Sequence, residues 1–374
     1  MSTLCDLHTR AQAGDADAQY ALGMFYYNQR PHTHSPSSAI SQHGFYWLKK
    51  AALQNHRDAC FSLGSLYYQN NQPRKSVYMF YRAARQGCTQ SITNMGIAYL
   101  DGIGGVEKDY ALALSFFRIA VRQNSACAQN CLGHMYEFGL GVEVNYTKAL
   151  EMYQLSATSG YASAQNDLGR FYQNGYGNVV PVDWDEAEDW YTLAANQNYA
   201  PAQNNLGFLY LVMAGAMDDP GDEMHHWNPD SYYSTPQEFE LKSGVRSEMW
   251  LHDEKDIEFG HTEVTPTPTY SFQSPSYQSS SSPIPMVMEN TGADEKNEKK
   301  KAYVQKAIHL LHCAAQQQNI HSLYNLGLFY FRGVGVEQDT YRGIEYMKKA
   351  ASMGYERAIM FMDVMVQKGI VKRQ

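Results

Sequence analysis

The sequence predicts an all-α protein, a solenoid of about seven helix-turn-helix repeats with a C-terminal capping helix and one long irregular insertion in repeat six. Three observations predict it. First, Leu-Gly or Met-Gly recurs at Gly23, Gly64, Gly96, Gly133, Gly169, Gly207 and Gly327, and Tyr follows each three residues later: Tyr26, Tyr67, Tyr99, Tyr136, Tyr172, Tyr210 and Tyr330. Second, an aromatic or apolar pair and then a small pair follow at a matching interval, as in Phe116-Phe117 with Ala120-Val121 and Trp190-Tyr191 with Ala194-Ala195. Third, glycine-rich turns separate the two markers. Self-similarity at a fixed period is the signature of stacked supersecondary units.

The Gly-to-Gly steps are 41, 32, 37, 36, 38 and 120 residues, so the last step hides an insertion. Within the first segment of each repeat, apolar positions such as Ala164, Leu168, Phe171 and Tyr172 follow helical spacing. Gly102-Ile103-Gly104, Gly139-Leu140-Gly141, Gly175-Tyr176-Gly177 and Gly333-Val334-Gly335 then stop that helix, because glycine enters the left-handed conformation without strain. The second helix opens at Asp109, Asn145, Asp183 or Asp339, whose short side chains cap free N–H groups, and Asp183 with Glu186 matches a capping box. A mid-helix glycine costs about 1 kcal/mol against Ala. Its recurrence therefore implies close approach of the paired helix.

Placed in order, the repeats span about residues 11–56, 57–88, 89–124, 125–160, 161–198, 199–319 and 320–355, and a final helix from Arg357 to Gln367 caps the stack. Repeat one carries a long polar loop from Asn28 to His43, and repeat two replaces the Gly-x-Gly turn with a short Asn70–Arg74 connection. The domain reading is 1–214 for repeats one to five with the first helix of repeat six, 215–298 for the insertion, and 299–374 for the remainder.

Residues 215–298 hold 8 of the 13 prolines and 17 Asp and Glu against 4 Lys and Arg, a net charge of −13. The whole chain carries −8, so the rest of it is net positive by 5. The part after Thr262 has the Pro- and Ser-rich composition of a linker. Upstream, Trp250 stands among Asp253, Glu254, Asp256 and Glu258, a pattern that fits either a solvated loop with a few anchors or an acidic recognition segment.

Composition excludes several classes. With 30 Lys and Arg against 38 Asp and Glu, no domain-wide basic excess exists to displace counterions from nucleic acid. No window approaches 18 uncharged apolar residues and no signal-like N-terminus is present, so the expected address is the cytoplasm, without a membrane. The six scattered cysteines read as reduced thiols. No serine elbow, metalloprotease helix or paired carboxylates stand out, and no cofactor is called for.

These markers resemble those of the Sel-one-like repeat family, a tetratricopeptide-like class. The resemblance implies a right-handed superhelix with adaptor or regulatory roles, including toxin antagonism by some members. It also implies that the first helix of each repeat lines a concave wall, with exposed positions three before, one after and four after the marker glycine. In this chain those positions are Asn130, His134 and Glu137, then Asn166, Arg170 and Gln173, then Asn204, Phe208 and Leu211, and Tyr324, Leu328 and Phe331, with apolar sets such as Tyr20, Met24 and Tyr27 at the other end. Arg170 between Asn166 and Gln173 suits a carboxylate clamp or an ordinary solvated side chain.

The leading expectation is a non-enzymatic scaffold, monomeric when free, that binds a partner protein through this wall and the insertion. A sharper form is an inhibitor or immunity protein whose acidic insertion masks a basic partner. Two alternatives stay open. Cys127, Cys131 and His134 share one helix face at i, i+4 and i+7 and offer soft ligands for a metal-dependent regulator or enzyme. The chain also suits a structural subunit of a larger assembly.

Overall fold

The computed structural model describes residues 2–29, 39–176, 179–215 and 292–371. Among them the chain forms helices α1 (Ser2–Gln12), α2 (Ala16–Asn28), α3 (Ala39–Leu53), α4 (Arg57–Gln69), α5 (Pro73–Ala84), α6 (Thr89–Asp101), α7 (Tyr110–Arg122) and α8 (Ala126–Phe138). They continue as α9 (Tyr146–Thr158), α10 (Ala162–Asn174), α11 (Trp184–Asn196), α12 (Ala200–Met213), α13 (Gly292–Gln316), α14 (Ile320–Arg332), α15 (Thr340–Ser352) and α16 (Glu356–Gln367). The only β pairing among the described residues is an isolated bridge between Tyr176 and Val180. The helical unit comprises Met1–Tyr233 and Asn297–Gln374, and Ser234–Lys296 forms a separate unit of which only the first turn of α13 is described.

The hairpins of repeats two to five and seven share one construction. The residue two turns into the second helix lies on the marker glycine: a Cβ on Gly96 would meet the Phe117 ring at 2.6 Å, one on Gly133 the Tyr153 ring at 2.6 Å, and one on Gly169 the Tyr191 ring at 2.6 Å. That contact is why the sequence accepts a helix-interior glycine. The hairpin turn is then fixed by one backbone bond, in which the capping residue's N–H donates to the carbonyl of the marker tyrosine. It recurs at 2.8 Å from Asp109 to Tyr99, Asn145 to Tyr136, Asp183 to Tyr172 and Asp339 to Tyr330.

Asp109, Asn145, Asp183 and Asp339 all cap as expected through side-chain oxygens that accept from helix N–H groups. The capping box at Asp183 is only half built: its carboxylate accepts from Asp185 and Glu186, but its own N–H is taken by Tyr172, which leaves none for Glu186. Gly141 shows why the turn needs a second glycine. At φ 67° its Cβ would lie 2.6 Å from Tyr110 Cβ on α7, the preceding repeat's second helix.

Between repeats, the second helix ends on one left-handed residue: Asn55, Gly87, Asn124, Gly160, Asn198, Gln318 and Gly354. Asn and Gly suit that conformation, whereas Gln does not. We expect Gln318→Gly to raise stability by about 0.5 kcal/mol, since relief of a strain of about 1–2 kcal/mol exceeds the added freedom of the unfolded chain. A urea midpoint unchanged or lowered would show the φ to be unstrained.

Two ends differ from the sequence reading. Helix α1 precedes repeat one and packs as the missing neighbour of α2, with Ala11, Leu22 and Trp47 in one buried cluster. It lacks the marker dipeptide and so gave no repeat signal. Helix α13 starts at Gly292, upstream of the expected boundary at residue 299, because Ala293 to Lys301 is rich in Lys and Glu, both strong helix formers. The C-terminal helix α16 lies where expected.

Candidate interaction surface

The wall positions fall into two groups, and the structure corrects their expected exposure. Asn130, His134, Glu137, Asn166, Arg170, Gln173 and Leu211 are buried, each at most 9% exposed. Asn204, Phe208, Tyr324, Leu328 and Phe331 remain partly exposed. Trp250, Asp253, Glu254, Asp256 and Glu258 of the insertion lie outside the described residues.

The buried group is a polar core shared by repeats four and five. Arg170 on α10 donates from Nη1 to Glu137 Oε1 at 2.6 Å and from Nη2 to Glu137 Oε2 at 2.7 Å, a bidentate pair across two first helices. Tyr153 on α9 donates to Glu137 Oε2 at 2.7 Å, and Tyr176 donates to Glu137 Oε1 at 3.0 Å. Arg170 Nη2 lies 3.7 Å from Asp167 Oδ1, and His134 Nε2 lies 2.9 Å from Asp167 Oδ2.

Burial by itself would raise the Glu137 carboxyl, but the Arg170 charge and hydrogen bonds, with help from His134 and Tyr153, hold it below the usual carboxylate range. Burial likewise opposes the Arg170 charge, and Glu137 outweighs it, so the guanidinium stays firmly protonated. The hydroxyl of Tyr153 is pushed well up, first by burial and then by the carboxylates.

The three asparagines serve as staples between successive first helices. Asn130 Nδ2 donates to Ser163 at 3.4 Å, Asn205 donates to Asn166 Oδ1 at 2.9 Å, and Ser322 donates to Asn204 Oδ1 at 2.8 Å. Each holds adjacent repeats in register. The expected concave side chains of the centre are therefore spent on one another, because neighbouring first helices approach closely enough to share them.

Sequence reasoning missed Tyr153, Tyr176 and Tyr191, yet a signal exists. The residue over the marker glycine is Leu48, Phe80, Phe117, Leu311 or Met347 in five repeats and Tyr in two. In those two repeats the position four after the glycine is polar, and the hydroxyls use it: Tyr153 donates to Glu137, and Tyr191 to Gln173 at 2.8 Å. Likewise, the middle residue of the turn is Ile103, Leu140 or Val334 elsewhere but Tyr176 here. Its ring stacks on Phe171 at 4.2 Å, and its hydroxyl reaches the ion pair.

The three proposed metal ligands are not brought to one point. His134 turns to Asp167, while Cys127 accepts a hydrogen bond from Tyr161 at 3.4 Å and another from Cys131. Among the described residues no group of three or more His, Cys, Asp or Glu is arranged to hold a metal. Nor is any described helix long and apolar enough to cross a membrane.

The partly exposed group forms the candidate surface. Phe208 on α12 and Tyr324, Leu328 and Phe331 on α14 belong to consecutive first helices that the Asn204–Ser322 bond joins. Helix α16 closes its far edge, with Phe361 edge-on to Phe331 at 5.2 Å and Tyr355 edge-on to Tyr324 at 5.0 Å.

The stacked hairpins and their shared first-helix wall define an α-solenoid repeat protein. The Sel1 repeat matches residues 16–56, 57–88, 89–125, 128–161, 162–199, 200–222, 304–319 and 320–355, more than half of the chain, and the protein belongs to that family. No match is found among curated proteins. Among solved structures, a protective antigen of uropathogenic Escherichia coli displaying an SLR fold is 24% identical over 98% of this chain and 76% of that one, at a TM-score of 0.45. A Sel1 repeat protein from Oxalobacter formigenes is 26% identical over 57% of this chain and 83% of that one, at 0.48. An immunity protein of Pseudomonas aeruginosa is 22% identical over 53% and 75%, at 0.36.

Proposed function

We propose that this protein is a non-enzymatic interaction scaffold that holds a partner protein on its first-helix wall, with the acidic insertion as a specificity element. The observation that carries the reading is the partly exposed apolar set Phe208, Tyr324, Leu328 and Phe331 on two helices locked in register. Such a set supplies the anchors around which binding energy concentrates. The buried polar group of repeats four and five acts as a frame, joined to α12 through the Asn205–Asn166 bond, and supports the contacts without itself touching the partner. The reading includes a cytoplasmic address and an inhibitor or immunity-type role toward a basic partner, for which the net charge of −13 in residues 215–298 is the support.

The test is capture of the partner from the native host, followed by affinity measurements on the purified pair. Phe208→Asp is expected to weaken binding by about 30-fold, in line with roughly 2 kcal/mol or more for a buried anchor, without lowering the melting temperature of the free protein. Replacing residues 215–298 with a short flexible linker is expected to slow association and remove its salt dependence. Unchanged affinity in Phe208→Asp excludes the wall, and an unchanged salt slope excludes the insertion.

A further inference from the structure

Adjacent first helices touch, α6 with α8 and α10 with α12, whereas adjacent second helices make at most marginal contact, so the second helices form the splayed outer row. On that row each helix presents one face through positions spaced i, i+3, i+4 and i+7. In α3 they are Tyr46, Lys49, Lys50 and Leu53, in α5 Tyr78, Tyr81, Arg82 and Arg85, and in α7 Ser115, Arg118, Ile119 and Arg122. All are exposed or half-exposed. Six of them are Lys or Arg, and α3, α5 and α7 contain no Asp or Glu at all. In the next two repeats the same face carries Glu151 and Asp189 and no basic residue. Among the described residues no carboxylate pairs with any of the six cations.

Apolar groups stand exposed among these charges. Tyr46 and Tyr78 hold the same repeat position on adjacent helices, 49% and 42% exposed, and the cation one turn on lies over each ring, Lys50 Nζ at 4.9 Å and the Arg82 guanidinium at 5.8 Å from the ring centre. Leu53 beside them is 70% exposed. Unpaired cations interleaved with tyrosine and leucine suit a lipid headgroup layer, where basic clusters meet anionic lipid and tyrosine rings sit at the boundary. We propose that the outer face of α3, α5 and α7 docks this protein on an anionic lipid bilayer and leaves the first-helix wall free. No described helix is able to cross a membrane, and attachment to its surface needs none. The net charge of −8 does not prevent this, since charges beyond about 10 Å are largely screened at 0.1 M salt and the lipid responds to the local row. Helix α11, with four acidic residues and no basic one, helps to set which end of the solenoid faces the lipid.

The experiment sediments the full chain with large vesicles of phosphatidylcholine containing about 30% phosphatidylglycerol, or of phosphatidylcholine alone, in about 0.1 M salt. Binding is expected to the anionic vesicles only, with release at about 1 M salt, where screening shortens to about 3 Å. Arg118→Gln with Arg122→Gln should lower the partition coefficient about 25-fold, about fivefold for each, from the roughly 1 kcal/mol that one basic side chain contributes near an anionic surface. Lys348→Gln with Lys349→Gln on α15 removes the same charge, but there Lys348 lies 2.9 Å from Glu345, and partition should change by less than about twofold. Equal binding to both kinds of vesicle, or equal losses in the two variants, overturns the proposal.

The rings are read separately. Tyr46→Ser with Tyr78→Ser should weaken partition several-fold while the salt dependence stays as in the wild type, because the rings act by insertion and the cations remain. Unchanged partition overturns their role. An acidic polypeptide is the other occupant that this charge would attract, and poly-glutamate is its probe. Capture of poly-glutamate by a chain that ignores anionic vesicles overturns the lipid proposal. That comparison uses the wild-type protein, so it stands whatever the variants do to folding.

Discussion

Arg170→Ala is expected to destabilise the protein by about 3–5 kcal/mol, the cost of stranding one partner of a buried ion pair. Glu137 would stay enclosed, 3% exposed, with the tyrosine hydroxyls and the more distant His134 left to offset its charge. Urea unfolding, with hydrogen exchange on α8 to α10, should locate the loss in repeats four and five. The double variant Glu137→Leu with Arg170→Met should lie closer to wild type than either single change, because apolar side chains of similar volume carry no desolvation cost. A loss below about 1 kcal/mol for Arg170→Ala would show that the pair behaves like a surface contact.

The pH dependence gives an independent check with opposite signs in the two proteins. In the wild type the Glu137 carboxyl is held below its unfolded value. Its contribution is thus fully present above about pH 5 and fades as pH falls through the folded value. Without Arg170, burial dominates and pushes the same carboxyl above its unfolded value. The variant is then penalised at neutral pH and recovers as the acid protonates. The stability gap between the two should narrow from pH 7 to pH 5.

The second large effect is expected from Gly133→Ala. Helix propensity alone favours the change by about 1 kcal/mol, yet the new methyl would lie 2.6 Å from the Tyr153 ring. That ring is fully buried, and its hydroxyl is bound to Glu137 at 2.7 Å, so it has nowhere to move. A net loss of about 2–3 kcal/mol follows from overpacking. Gly207→Ala is the internal comparison, since its methyl would meet the Ala307 carbonyl oxygen at 3.1 Å and the Leu311 side chain at 3.2 Å, both looser than the 2.6 Å at Gly133, so that a shift of a few tenths of an ångström suffices. Thermal unfolding should rank Gly133→Ala well below Gly207→Ala, and equal melting temperatures would reject the packing argument.

Much of this protein was legible in its sequence because the repeat signals are local. The marker glycine, the left-handed turn residue and the capping Asp or Asn act within one hairpin, so their spacing fixed the helices, the seven repeats and the capping helix α16. The small residue after each Leu or Met even stated its own reason, the close approach of a paired helix. The N-terminal helix α1 escaped because it carries none of these markers and is held by packing on α2 alone.

The character of the wall was decided only by tertiary structure. In sequence, Glu137 and Arg170 are polar residues at positions that face outward in a repeat taken singly. In the fold they are 33 residues apart and form a bidentate pair, closed over by Tyr176 from a turn and Tyr153 from a second helix. Asn130, Asn166 and Asn204 likewise become staples only when the next repeat supplies Ser163, Asn205 and Ser322. Periodicity specifies which face of a helix a residue occupies. Whether that face meets water or another repeat depends on how closely adjacent first helices stack, a distance set by the small residues and aromatic rings packed between them.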